Sequence, residues 1–283
     1  NPSRRQEMLL SALPMAWLLV FFLAPCVMLL AYAFRSVDAQ GSAGTAWTLE
    51  TVRSLADPVY LPVLARTLGM SAICTLVCVG LAVPVSLHMA RSAPHWRSVL
   101  LLLVVLPFLT NLVIRIFAWR SLLHPEGLVK RLLVALHLAS EDTQLLNNPG
   151  AVLLVMVFTQ LPFAILPMYA AAEKFDLQLL DAARDLGASG WQAVRRVFLP
   201  GVREGLISAT VLMMVGCLGQ YVVPQFVGGA GDEMLGNKIV QRAFADRNLP
   251  LACAMAGSLL LAVLLCLLAL RLLSARREQR QTC

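Results

Sequence analysis

The sequence predicts an all-α integral membrane protein with six transmembrane helices, and two observations carry that prediction. Of 283 residues, 59% are hydrophobic and only 14% charged, against roughly 25% charged in an ordinary soluble domain. The apolar residues are also gathered into six long blocks, at 13–34, 67–90, 98–122, 150–172, 205–226 and 251–270. A membrane-crossing helix needs about 20 mostly apolar residues. Hydrocarbon offers no partner to a backbone N–H or C=O, so each block must be helical. A membrane β-barrel would instead show short segments of alternating polarity. The chain 1–283 reads as a single transmembrane domain.

The first block follows Arg4 and Arg5 and ends at Ala31-Tyr32-Ala33, which loosely resembles a cleavage site. Its apolar run is longer than the roughly 7–15 residues of a signal-peptide core, so it reads as an uncleaved span. Residues 35–66 form a long outer loop, with a short helix expected at 48–55. Residues 91–97, Arg-Ser-Ala-Pro-His-Trp-Arg, make a tight inner turn between the second and third blocks. In the second outer loop, 123–149, residues 127–139 place Leu128, Leu132 and Leu136 at helical spacing beside Lys130 and Arg131. That pattern fits an amphipathic helix at the membrane interface or an ordinary packed loop helix. The third outer loop, 227–250, opens on Gly228-Gly229-Ala230-Gly231 and carries Asp232, Glu233 and Asp246.

Orientation follows from Lys and Arg, which favour the cytoplasmic side. The N-terminal flank, the 91–97 turn, the 173–203 loop and the C-terminal flank hold most of the net charge of +7. They include Arg4, Arg5, Arg91, Arg97, Lys174, Arg184, Arg195, Arg196, Arg203, Arg271, Arg276, Arg277 and Arg280. Both termini are therefore expected inside. The basic balance reflects topology and anionic lipid, since no nucleic-acid-binding motif is present.

The seven cysteines are Cys26, Cys74, Cys78, Cys217, Cys253, Cys266 and Cys283, and all but Cys283 fall in apolar blocks. They read as small packing residues, with no disulfide framework and no metal site.

The polar 173–203 loop reads as a helix pair. Asp176 is a plausible N-cap, and Leu177, Leu180, Leu186, Ala182 and Ala183 form an apolar stripe. Gly187 should end the first helix in the left-handed conformation. Ser189 can cap the next helix over 190–198, and Pro200 sets the break before the fifth block. The spacing is specific: Asp181-Ala182-Ala183, three residues, Gly187, nine residues, then Val197-Phe198-Leu199-Pro200.

This pattern resembles the EAA loop of ABC importer permeases, which reads Glu-Ala-Ala, three residues, Gly, nine residues, Ile-any-Leu-Pro. Asp181 stands for the Glu and Val197 for the Ile. A second stretch, Leu106-Pro107-Phe108-Leu109-Thr110-Asn111-Leu112-Val113-Ile114-Arg115-Ile116-Phe117-Ala118-Trp119, is similar to the third span of polyamine (spermidine/putrescine) importer permeases. Leu109 departs where that family often has Trp. Further similarity lies in Pro162-Phe163, in Pro167-Met168-Tyr169, and in Leu235-Gly236-Asn237 followed by Gln241.

The resemblance implies a type I ABC importer permease fold with a cytoplasmic coupling helix-turn-helix, in a bacterial inner membrane. It implies a second permease subunit, a different chain, together with two ATPase subunits and a periplasmic substrate-binding protein. ATP and Mg would be used by the ATPase, with no cofactor bound by this chain, which has no phosphate-binding Gly-x4-Gly-Lys-Ser/Thr loop. Asp181, Ala182, Ala183, Gly187, Leu199 and Pro200 would couple to the ATPase.

No Asp or Glu lies inside the six blocks. Candidate pathway residues are Asn111, Trp119, Thr159, Gln160, Gln220 and Tyr221, with Gln225, the aromatic rings offering cation–π contacts. Arg115 is a charge at membrane depth, where such groups are costly and are usually paired or functional. A site for another small solute, such as an organophosphonate or a metal complex, is the alternative. A secondary transporter would want an intramembrane carboxylate or a broken span. A membrane enzyme would want clustered catalytic groups, and His88, His95, His124 and His137 are scattered.

Overall fold

The computed structural model describes residues 4–38, 41–138, 140 and 142–279. Arg280 and Cys283 lie outside the described residues, as does position 139 at the end of the expected loop helix. In chain order the elements begin with α1 (Arg4–Ala33), β1 (Arg35–Val37), β2 (Ala43–Trp47), α2 (Glu50–Arg53) and α3 (Tyr60–Arg91). They continue with α4 (Pro94–Val105), α5 (Leu112–Leu123), α6 (Leu128–Ala135) and α7 (Pro149–Lys174). The last group is α8 (Gln178–Asp185), α9 (Gly190–Ala193), α10 (Leu199–Gly201), α11 (Arg203–Leu218), α12 (Val222–Val227), α13 (Leu235–Val240) and α14 (Leu249–Gln279).

Among the described residues, three helical segments are long and apolar enough to cross a membrane: Pro14–Ala33, Tyr60–Arg91 and Pro149–Lys174. Counting each of two bent pairs as one span raises this to five. The sixth apolar block falls on α14. An 18-residue stretch within Pro14–Ala33 has none of its residues buried, as befits a helix whose solvent is lipid.

Two predicted spans are not single helices. The 98–122 block is broken: a 3₁₀ turn at Leu106–Leu109 follows α4, and the chain bends by 92° before α5 continues. Pro107 cannot donate a backbone hydrogen bond. Thr110 is extended, and Asn111 restarts the helix as an N-cap, its side chain accepting from the Val113 N–H at 2.8 Å. The 205–226 block is broken too, since α11 stops at Leu218 and α12 begins only at Val222. The break before the fifth block falls at Val202, not at Pro200, with a 79° bend between Gly190–Gly201 and Arg203–Leu218.

The chain divides into two compact units. One comprises residues 1–62 and 238–262. Its antiparallel hairpin, unforeseen in the sequence, pairs Arg35 with Trp47 and Val37 with Ala43. The expected short helix of this loop is α2 with a 3₁₀ turn at Ser54–Ala56. Arg242 is held between Asp246, at 2.7 Å, and the Tyr60 hydroxyl, at 2.9 Å.

The other unit comprises residues 63–237 and 263–283. Its core is built on α7 against α11, with Val155, Met156, Met168, Met213 and Cys217 fully buried. Helices in lipid associate through close backbone approach at small residues. Gly205 is such a point: a Cβ there would strike the Ala171 methyl and stand 2.9 Å from the Pro167 carbonyl oxygen.

Candidate coupling surface and transport pathway

Local chemistry builds the helix pair at 176–201. The Asp176 carboxylate accepts from the Gln178 N–H at 3.0 Å, at the start of α8. Gly187 ends α8 with φ of +87°. Its N–H donates to the Arg184 carbonyl at 2.8 Å, and the Ala188 N–H reaches the Ala183 carbonyl at 3.0 Å. These two bonds make a Schellman cap, which satisfies carbonyls at the helix end. Ser189 and Gln192 then form a reciprocal capping box on α9, which continues as a π turn over Val194–Phe198.

The two arms enclose a small core. Leu180, Ala193 and Phe198 are buried, and the Phe175 ring meets Phe198 edge-on with centroids 5.4 Å apart. The opposite face is open: Leu186 is 89% exposed, Trp191 70% and Leu179 51%. Of the six coupling residues expected from the sequence, Asp181, Ala182, Gly187 and Pro200 are exposed, while Ala183 and Leu199 pack half-buried against the core.

Ion pairs tie this element to the helices around it. Asp181 lies 3.5 Å from Arg91, at the end of α3, and 4.0 Å from Arg184. Arg97 bonds Glu173 at 2.9 Å and the Ala90 carbonyl at 3.0 Å. Glu173 also accepts from the Tyr169 hydroxyl at 3.0 Å. These pairs are substantially exposed, so each contributes about 0–1 kcal/mol. Their effect is to set position.

The pathway candidates divide. Gln160, Gln220, Tyr221 and Gln225 lie around the α11–α12 break. A Cβ on Gly216 would sit 3.3 Å from Gln160 Nε2, and Gln160 and Gln220 are both buried. Asn237, not picked from the sequence as a site residue, organises this group. It is buried, its Nδ2 donates to the Tyr221 carbonyl at 2.9 Å and to Gln225 Oε1 at 3.0 Å, and its Oδ1 accepts from the Met234 N–H at 3.2 Å. Thr67 adds a second tie, accepting from the Leu235 N–H at 2.8 Å. The sequence signal was present in Leu235-Gly236-Asn237, but Asn237's partners are distant in the chain.

The other candidates are held by structural contacts. Thr159 is buried and donates to carbonyls of its own helix, Val155 at 2.9 Å and Met156 at 3.0 Å. Trp119 packs edge-on against Phe158, centroids 5.2 Å apart. Asn111 uses its side-chain carbonyl as the cap on α5. Arg115 lies over the Phe108 ring at 5.6 Å, and its Nε and Nη1 are sealed from solvent with no hydrogen-bond partner among the described residues. Among the described residues no group of three or more His, Cys, Asp or Glu could hold a metal.

The polar helix pair, with its exposed apolar tips, stands between apolar helices. Residues 3–281 match the family model described as binding-protein-dependent transport system inner membrane component. The chain belongs to that family. Family membership makes it a multi-pass transport component of the inner membrane.

Among relatives of this inner membrane component, the spermidine/putrescine transport system permease protein PotB of Haemophilus influenzae is 37% identical, covering 91% of this chain and 89% of the relative. The PotB protein of Escherichia coli K12 is 33% identical, covering 93% and 97%. A solved bacterial ABC transporter involved in import of the acidic polysaccharide alginate superposes with a TM-score of 0.77 over 96% of both chains, at 17% identity. It shares the fold of an ABC importer permease.

Proposed function

We propose that this chain is one permease subunit of an ATP-driven, binding-protein-dependent importer of polyamines such as putrescine and spermidine. The observation that carries the coupling role is the capped helix pair at 176–201, with Leu179, Leu186 and Trp191 exposed on one face. That face receives a cytoplasmic ATPase, which uses ATP and Mg. This chain binds neither and performs no catalysis. Both termini lie on the ATPase side. A second permease of a different sequence completes the pathway, and a periplasmic binding protein delivers the solute.

The polyamine cargo is supported by the two PotB relatives and by the chemistry of the α11–α12 break. Gln160, Gln220 and Gln225 present amide oxygens and Tyr221 a partly exposed ring, suited to ammonium groups through hydrogen bonds and cation–π contact. The groups are neutral, so a polycation meets acceptors without a tight ionic trap.

The test is uptake of labelled putrescine and spermidine into proteoliposomes holding this chain, its partner permease and the ATPase, with the binding protein outside. Uptake that needs ATP and is competed by unlabelled polyamine is expected. ATP hydrolysis stimulated by the binding protein without polyamine uptake would keep the permease role and overturn the cargo.

A further inference from the structure

A cavity of about 760 Å³ opens in the first unit, lined by Phe34, Trp47, Thr48, Leu49, Glu50 and Arg53. Its size falls within the roughly 300–1,000 Å³ of small-molecule sites. Phe34 is the residue directly after the apolar helix α1, so the cavity stands where that helix leaves the hydrocarbon. Trp47 is 66% exposed and Leu49 56%, and Trp is enriched at membrane–water boundaries.

The wall of this cavity is built. Arg35 donates to the Gly44 and Thr45 carbonyls at 3.2 and 3.3 Å and covers one face of Trp47 at 4.9 Å, so the hairpin presents the ring in a set position. Thr51 is buried and donates to the Arg35 carbonyl at 3.2 Å, fastening α2 to β1. Glu50 and Arg53, three residues apart on α2, both line the cavity and are exposed. Such neighbours ordinarily pair across a helical turn. Here neither side chain has an ion pair or hydrogen bond among the described residues. Opposite charges held apart beside an aromatic and aliphatic wall complement a ligand with opposite charges of its own and an apolar body.

We propose that this cavity seats an aminophospholipid head group, with its ammonium on Glu50, its phosphate on Arg53, and its glycerol and first acyl carbons against Phe34, Trp47 and Leu49. A zwitterion fits better than an anionic lipid, because an anionic head group brings no cation to offset the Glu50 carboxylate. The assignment uses α1 as a membrane helix and is independent of the cargo.

The experiment is native mass spectrometry of the intact importer complex, released from nanodiscs of equal phosphatidylethanolamine and phosphatidylglycerol. Wild type retains phosphatidylethanolamine over phosphatidylglycerol by about tenfold, the scale of a charge-assisted contact. Glu50→Gln brings the two lipids to parity, Arg53→Gln lowers retention of both, and Arg53→Lys restores it. Soluble glycerophosphoethanolamine does not displace the lipid. Unchanged lipid preference in both Gln variants overturns the assignment. So does displacement by the soluble head group, which would make the ligand a free zwitterion. A photo-crosslinker at Leu49 that captures the binding protein and not lipid would overturn it as well.

Discussion

The Arg91 guanidinium, in the last turn of α3, stands 3.5 Å from the Asp181 carboxylate on α8. The pair joins the first residue of the Asp-Ala-Ala motif to a helix long and apolar enough to span the membrane.

Removing this link should disturb transmission more than stability. Asp181→Asn is expected to leave abundance and melting temperature nearly unchanged, since an exposed pair contributes about 0–1 kcal/mol. Uptake should fall several-fold while ATP hydrolysis continues. The exchange Arg91→Asp with Asp181→Arg should recover part of the uptake. Parallel loss of uptake and abundance in Asp181→Asn would show the pair to be structural only.

Gly187 holds φ at +87°, a region that L-residues with branched side chains resist. Nothing crowds a Cβ there, so the strain is in the backbone alone. Gly187→Val is expected to cost about 1–3 kcal/mol locally and to reduce co-purification of the ATPase. Gly187→Asn should be milder, because Asn tolerates the left-handed conformation. Pull-down yield against membrane abundance separates the two effects.

This turn was legible in the sequence because helix capping is local. Gly187 and Ser189 act within a few residues, and the structure finds each at a helix end; Asp176, expected as the cap of α8, stands one residue before the N-cap Leu177 and accepts from the Gln178 N–H instead. The broken spans were not legible. An apolar run states which solvent surrounds a segment but not the direction it takes, so Pro107 and Gly219 passed as residues inside continuous helices. The hairpin at 35–47 lacks the alternation that announces strands. Asn237 was missed as a site residue because two of its partners, Tyr221 and Gln225, lie sixteen and twelve residues away.

Asn237 satisfies Met234, Tyr221 and Gln225 at once. Asn237→Leu leaves the buried Met234 N–H without its acceptor, at about 1–3 kcal/mol, and removes the ties to the more exposed Tyr221 and Gln225. A melting temperature lowered by several degrees is expected, with uptake lost. Asn237→Asp keeps the acceptor but not the donors, and should fall between wild type and Leu. Equal melting temperatures for all three would remove Asn237 from its place at the break.

At Gly205 the constraint is contact rather than conformation. Gly205→Val forces α11 away from Ala171 and the Pro167 carbonyl. Overpacking of this kind costs about 1–3 kcal/mol or more. A sharp drop in monodisperse protein by fluorescence-detected size exclusion is the expected result. Ala170→Gly, at an exposed position on the facing helix α7, should have little effect.

The π turn at Val194–Phe198 has a consequence for the reading frame of the second arm of the helix pair. A π turn accommodates one residue more than the α-helical repeat, and each α-helical residue turns the chain by roughly 100°. Side chains before the turn are therefore phased differently from those after it, as a gear is by one added tooth. Trp191 faces solvent on one side of that offset, while Val202 faces inward on the other. Deleting one residue there would repair the helix and misdirect the protein. All later side chains would keep their identities and their spacing, yet the arm would meet its partner out of phase.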